Sequence, residues 1–133
     1  MKKKLFCFVS GAMLLALSFP AEAQQGRIYR VGVLAPPGKV EERVHIKGLR
    51  DGLKAAGYLE GKNLLLDIPN VKTYDELRPI ARSYAEKKVN IIVTQGGTAT
   101  GIAREATKQI PVVFIWGIAD PVQAGLEIGR AHV

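Results

Sequence analysis

Val89-Asn90-Ile91-Ile92-Val93-Thr94-Gln95-Gly96-Gly97-Thr98 is the stretch that decides the fold. Its β-branched centre, Ile91-Ile92-Val93, carries apolar residues without alternation, the pattern of a parallel strand buried on both faces. A strand with one face in water would alternate apolar and polar positions. Two glycines and a threonine follow, and then a helical pattern to about Thr107 with Ile102, Ala103 and Ala106 on one side. Strand, glycine turn and helix make half of a βαβ unit.

The same alternation extends in both directions. Short apolar runs predict further strands over residues 29–34, 64–68 and 110–115, with residues 89–94 as the central one. Between them, residues 41–56 place Ile46, Leu49, Leu53 and Ala56 at helical spacing toward the sheet, and Gly57 supplies a C-cap. Thr73-x-x-Glu76 reads as a capping box opening a helix to Lys88, with Leu77, Ala81 and Tyr84 inward. Pro79 falls late for such an opening: it either kinks the first turn or moves the true start nearer Arg78. The class expected is α/β, a three-layer arrangement with a parallel sheet between helices.

The chain has 133 residues, a formal charge of +7 and a sequence pI of about 9.7. That length suits one small core. Lys2, Lys3 and Lys4, the apolar run from Leu5 to Phe19, and Ala21-Glu22-Ala23 together read as an export signal over residues 1–23, cleaved after Ala23. The apolar run is shorter than the roughly 20 residues that span a bilayer, so no stable membrane insertion is expected after cleavage. The sole cysteine, Cys7, leaves with the signal. Sixteen basic and eleven acidic side chains then remain, a net +5, dispersed along helical faces without interleaved aromatics. This distribution argues against nucleic acid as a partner.

In open α/β sheets ligands bind beyond the carboxyl ends of the strands. Residues 35–40, 95–98 and 116–122 occupy such positions. Gly96 and Gly97 would let backbone N–H groups and a helix N-terminus meet an anion; equally, they would serve a tight turn. Thr98 would cap the helix or touch the ligand, and Asp120, fixed by Pro121, would bind an amino or hydroxyl group or form an Asx turn. Trp116 is expected to pack beneath its loop, and His45 to be a solvated side chain in mid-helix. Enzymatic and cofactor signatures are missing: Val33-Leu34-Ala35-Pro36-Pro37-Gly38 is no dinucleotide fingerprint, and no phosphate-binding loop follows any strand. After residue 23 there are two histidines and one serine, Ser83, so neither a metal site nor a nucleophilic triad is expected.

Five motifs in order, Gly52-Leu53-Lys54-Ala55-Ala56-Gly57-Tyr58-Leu59-Glu60-Gly61-Lys62-Asn63, Tyr74-Asp75-Glu76-Leu77, Ile91-Ile92-Val93-Thr94-Gln95-Gly96-Gly97-Thr98, Ile110-Pro111-Val112-Val113-Phe114 and Asp120-Pro121-Val122, resemble bacterial ABC-transporter substrate-binding proteins. The likeness is to the branch related to tryptophan- and tyrosine-binding components and runs from about Val31 to Leu126. It implies a type I periplasmic-binding fold, with residues 24–127 forming part of an N-terminal lobe. It also implies an exported, periplasmic solute receptor rather than an enzyme, with no cofactor. Such a receptor captures a small molecule, an amino acid being the best-supported class, and delivers it to the permease and ATPase subunits of an importer. Gln95, Gly96, Gly97, Thr98 and Asp120 would line one wall of the cleft, with Pro36 in the first loop facing it.

Some features depart from that pattern. Pro36-Pro37 stands where small polar residues are usual, and Ile68-Pro69-Asn70 replaces an extended polar segment. Family members are longer and have a second lobe. Residues 128–133, Ile-Gly-Arg-Ala-His-Val, resemble a translated sequencing adapter and are expected to be non-native; the other reading is a truncated paralogue. Against the receptor stands a self-contained, exported flavodoxin-like domain or enzyme, which would need a phosphate loop, an acidic receiver pocket or metal ligands.

Overall fold

The structure is a computed structural model that describes residues 26–40 and 42–117. Along the chain it contains β1 (Tyr29–Leu34), α1 (Val44–Ala55), β2 (Leu64–Asp67), a 3-10 turn (Tyr74–Glu76) running into α2 (Leu77–Glu86), β3 (Ile91–Gln95), α3 (Gly97–Ala106) and β4 (Val112–Trp116). All strand pairs are parallel, in the order β2-β1-β3-β4. The Ile91-Ile92-Val93 run is therefore central, and the α/β class follows as expected. From β1 the chain goes outward to β2 and then returns past β1 to β3. Strand order reverses at that point, and the loops after β1 and β3 meet there.

Each face of the sheet has its own core. Val31, Val33, Leu64 and Val93 pack with Ile46 of α1, and Leu49 and Leu53 lie at the margin. On the opposite face Leu34 and Ile92 meet Leu77, Ala81 and Tyr84 of α2 and Ile102 and Ala103 of α3. These inward residues of α2 and α3 are the ones their helical spacing predicts.

The boundaries differ from expectation for local reasons. α1 begins at Val44 rather than 41, because Arg43 has an extended backbone (ψ 137°) while its carbonyl already accepts from Ile46 and Lys47. Ala56 is exposed rather than turned to the sheet. It sits at the C-cap, where Tyr58 N–H donates to Leu53 O and Gly57 N–H to Lys54 O, a Schellman motif with Gly57 at φ +88°. Thr73 makes no side-chain cap. Instead Glu76 Oε2 accepts from Lys72 N–H at 3.1 Å, and the α-helix starts at Leu77, which puts Pro79 in the first turn where its missing N–H costs nothing. β2 ends at Asp67, β3 starts at Ile91 and includes Gln95, and β4 is shifted to end at Trp116. Residues 1–23, Asp120 and residues 128–133 lie outside the described residues.

Candidate functional site

The exits of β1, β3 and β4 touch one another. Gly96 N–H donates to Trp116 O at 2.7 Å. A Cβ built on Gly117 would lie 3.2 Å from Gly96 Cα, and one on Gly96 would lie 3.7 Å from Pro36 Cγ. The approach of Gly117 to the Gly96 backbone needs a bare Cα, whereas the Gly96–Pro36 distance is ordinary packing and Gly96 requires glycine through its φ of +85°. It is the N-cap of α3, so the N–H groups of Gly97, Thr98 and Ala99 have no acceptor within the helix; the first helical bond is Thr100 N–H to Gly96 O. These donors and the positive end of the helix dipole lie at the carboxyl edge of the sheet.

A buried hydroxyl pair holds this turn. Thr100 Oγ1 donates to Gly96 O at 2.8 Å, so the 2.8 Å contact between Thr94 and Thr100 must be a donation from Thr94. The Gly96 carbonyl thereby receives both a backbone and a side-chain bond from Thr100. Both threonines are buried.

Of the residues predicted for the site, Gln95, Gly96, Gly97, Thr98 and Pro36 are gathered at this edge, and Asp120 lies outside the described residues. Gln95 is the last residue of β3 rather than part of the loop, and it is 7% exposed. Gly97 and Thr98 are exposed in the first turn of α3. Thr98 does not cap the helix, which has no side-chain cap. Pro36 contributes its carbonyl inward and its ring toward Gly96.

Arg43 was not foreseen. Its Nη1 donates to Gln95 Oε1 at 3.0 Å, while Nη2 donates to Pro36 O at 3.0 Å and Pro37 O at 2.9 Å. One guanidinium thus ties the first loop to the end of β3. Asn70 ties the same loop to the exit of β2, with Oδ1 accepting from Val40 N–H at 3.1 Å. The only signal in the sequence was the cluster of backbone carbonyls that a Pro-Pro-Gly loop leaves unpaired near a helix start, where a long donor side chain is useful.

His45 and Trp116 correct two expectations. Trp116 does not pack under its loop; it is 60% exposed and stacks on His45 with ring centroids 5.0 Å apart at 23°. His45 is half-buried by the same contact. Because α1 starts beside the exits of β3 and β4, its first turn backs one face of the indole. Among the described residues no group of three His, Cys, Asp or Glu is placed to hold a metal, and no helix is long and apolar enough to cross a membrane.

Three solved structures share this architecture. A ligand-free, open substrate-binding protein with adhesive properties from Clostridium difficile, CD0873, superposes with a TM-score of 0.69 at 24% identity over 77% of this chain and 35% of its own. A conserved domain protein from Vibrio cholerae O1 gives 0.65 at 33% identity, over 74% of this chain and 33% of its own. An ABC domain from Streptococcus pneumoniae in complex with L-Trp gives 0.65 at 24% identity over the same shares, 74% and 33%. The chain thus spans about a third of the length of the structures it resembles. No curated protein sequence matches it. Residues 31–129, however, match the family described as ABC transporter substrate binding protein, and on a match of that extent the chain belongs to this family.

Proposed function

We propose that this chain is part of the N-terminal lobe of an exported receptor that captures a small solute for an ABC importer. The observation that carries the reading is the contact of three strand exits around Gly96, which gathers backbone donors, Gln95 and the open indole of Trp116 at one edge. Such an edge is half a cleft. A working pocket buries 70–90% or more of a small ligand, so a second lobe closes on it. Ligand contacts from both lobes then stabilise the closed form that the permease and its ATPase recognise, and no bond in the solute is made or broken. An amino acid is the proposed ligand: its carboxylate suits the donors at the start of α3, and the L-Trp complex of the pneumococcal neighbour supports this class. On this reading Asp120 holds the ammonium group, residues 1–23 are removed after Ala23 on export to the periplasm, residues 24–127 belong to the lobe, and residues 128–133 are non-native.

Calorimetry of the full-length protein with the common amino acids tests the proposal. Micromolar binding of at least one is expected, and failure of all of them to bind removes the ligand class. Mass spectrometry of the exported protein should find Gln24 at its start. Recovery of an intact Met1 terminus from membranes would refute the cleavage.

A further inference from the structure

The carboxamide of Gln95 is held in one orientation by chemistry alone. A guanidinium only donates, so the atom facing Arg43 Nη1 at 3.0 Å is the oxygen, and the NH2 group is the one left over. That NH2 belongs to a residue 7% exposed, and among the described residues no acceptor is paired with it. Arg43 is itself held by the carbonyls of Pro36 and Pro37, and Gly38, at φ +119°, passes close to the guanidinium, where a Cβ would lie 3.3 Å from Nη2. The nearest acidic side chain in the sequence among the described residues, Glu42, is exposed and paired with Lys39 at 3.2 Å. Two residues beyond Gln95 the chain enters the first turn of α3, which again offers only donors.

We propose that Arg43 is the positioning residue of this wall: by occupying Gln95 Oε1 it leaves Gln95 only its NH2 to present, so the ligand group received beside α3 is an acceptor oxygen, best a carboxylate, and not an ammonium. The proposal rests on the ligand-binding reading above and sets the polarity of that site. It also gives Pro36-Pro37 a purpose, since two successive carbonyls without competing side-chain donors anchor the guanidinium. A free glutamine would rotate its amide to suit either a donor or an acceptor. Loss of Arg43 therefore removes discrimination, which a purely structural role would not do.

The test is 15N NMR of the full-length protein, following the Gln95 side-chain NH2 and the Thr98 amide during titration with sodium acetate and, separately, methylammonium chloride. In the wild type, acetate shifts both signals and methylammonium shifts neither. In Arg43→Met the acetate response weakens at least tenfold and a methylammonium response appears. Gln95→Glu, whose carboxylate pairs with Arg43 and offers acceptors, loses the acetate response. Should Arg43→Met lose its amide dispersion, Arg43→Lys and Gln95→Met carry the test, with partial and full loss of the acetate shift at Thr98. A wild type blind to acetate, or an Arg43 variant that responds as the wild type does, overturns the proposal. Amino-acid calorimetry run in parallel separates the two ideas. An acetate response without amino-acid binding refutes the ligand class and leaves the role of Arg43 standing, whereas amino-acid binding with an unshifted Gln95 NH2 does the reverse.

Discussion

Lys88 has a φ of +50°, the one positive value among the described non-glycine residues. Its N–H donates to Ala85 O and the next N–H, of Val89, to Tyr84 O, so α2 ends in the same Schellman motif that Gly57 completes for α1. A side chain in that conformation costs about 1–2 kcal/mol, and glycine's extra freedom in the unfolded chain offsets roughly 0.5–1 kcal/mol of any relief. Lys88→Gly should therefore raise stability by somewhat under about 1 kcal/mol, read as a higher urea midpoint with an unchanged slope. The two glycines of the β3 exit separate in the same way. Gly96 needs its positive φ, while Gly97 lies in the helix and a Cβ there would meet nothing within 4 Å. Gly97→Val should fold normally yet bind its ligand at least tenfold more weakly, because the branched side chain covers the free N–H groups; unchanged affinity would show that these groups are not used. The sequence announced these glycines because the type of residue was itself the signal. It did not announce Arg43 or the Thr94–Thr100 pair, whose partners lie 52 and 6 residues away and are chosen by the fold.

At the level of elements, legibility followed the source of each element's stability. β3, α2 and α3 were readable because their burial is written in their periodicity, whereas ends set by hydrogen bonds, such as the start of α1 at Arg43, were not. The longest motif of the resemblance runs from Gly52 to Asn63, and its second half, from Gly57 onward, proves to be architecture. Asn63 Oδ1 accepts from Leu59 N–H at 2.7 Å, its Nδ2 donates to Gly57 O at 3.0 Å, and Gly61 takes φ +80°. The joint between β3 and α3 rests on the threonine relay. Thr100→Val strands the buried Thr94 hydroxyl and frees the Gly96 carbonyl from its side-chain bond, at a cost of about 1–3 kcal/mol. Thr94→Val with Thr100→Val should cost less than the two single changes together, a coupling that a double-mutant cycle in urea measures directly. The contact between α2 and β1 depends on Gly32, since a Cβ there would run into the Tyr84 ring. Gly32→Ala should destabilise by about 1–3 kcal/mol or more. Burial, reinforced by the charge of Asp67, holds the Tyr84 phenol above its ordinary value. The unfolded chain loses that proton near pH 10 while the folded one keeps it, so this stabilisation is complete below pH 10 and fades as pH rises beyond it. The urea midpoint should fall as pH rises above about 10, less steeply in Tyr84→Phe.

For the whole molecule, the sheet is finished unevenly. Cover on the α1 face reaches β2, β1 and β3 and includes Ile115 at the end of β4, but it leaves Val113 of β4 44% exposed. Among the described residues β4 has no neighbour on its outer side either. Parallel sheets are stable when both faces are covered, and an open apolar edge invites pairing with another chain. The solved structures that share the fold are about three times as long as the part they share, which leaves ample chain to cover that face. We therefore expect residues 24–133, produced alone, to self-associate in light scattering, to melt without a sharp transition and to bind no amino acid. Charge placed on the open face should act in opposite directions in the two contexts. Val113→Lys should make residues 24–133 more monomeric, because it blocks edge pairing, yet on the two-lobe reading proposed above it should destabilise the longer protein, in which that position would be covered. A monomeric fragment that melts cooperatively above about 55 °C, within the ordinary range of stable domains, and that is indifferent to Val113→Lys would mean that β4 is a true edge and the lobe is complete as it stands.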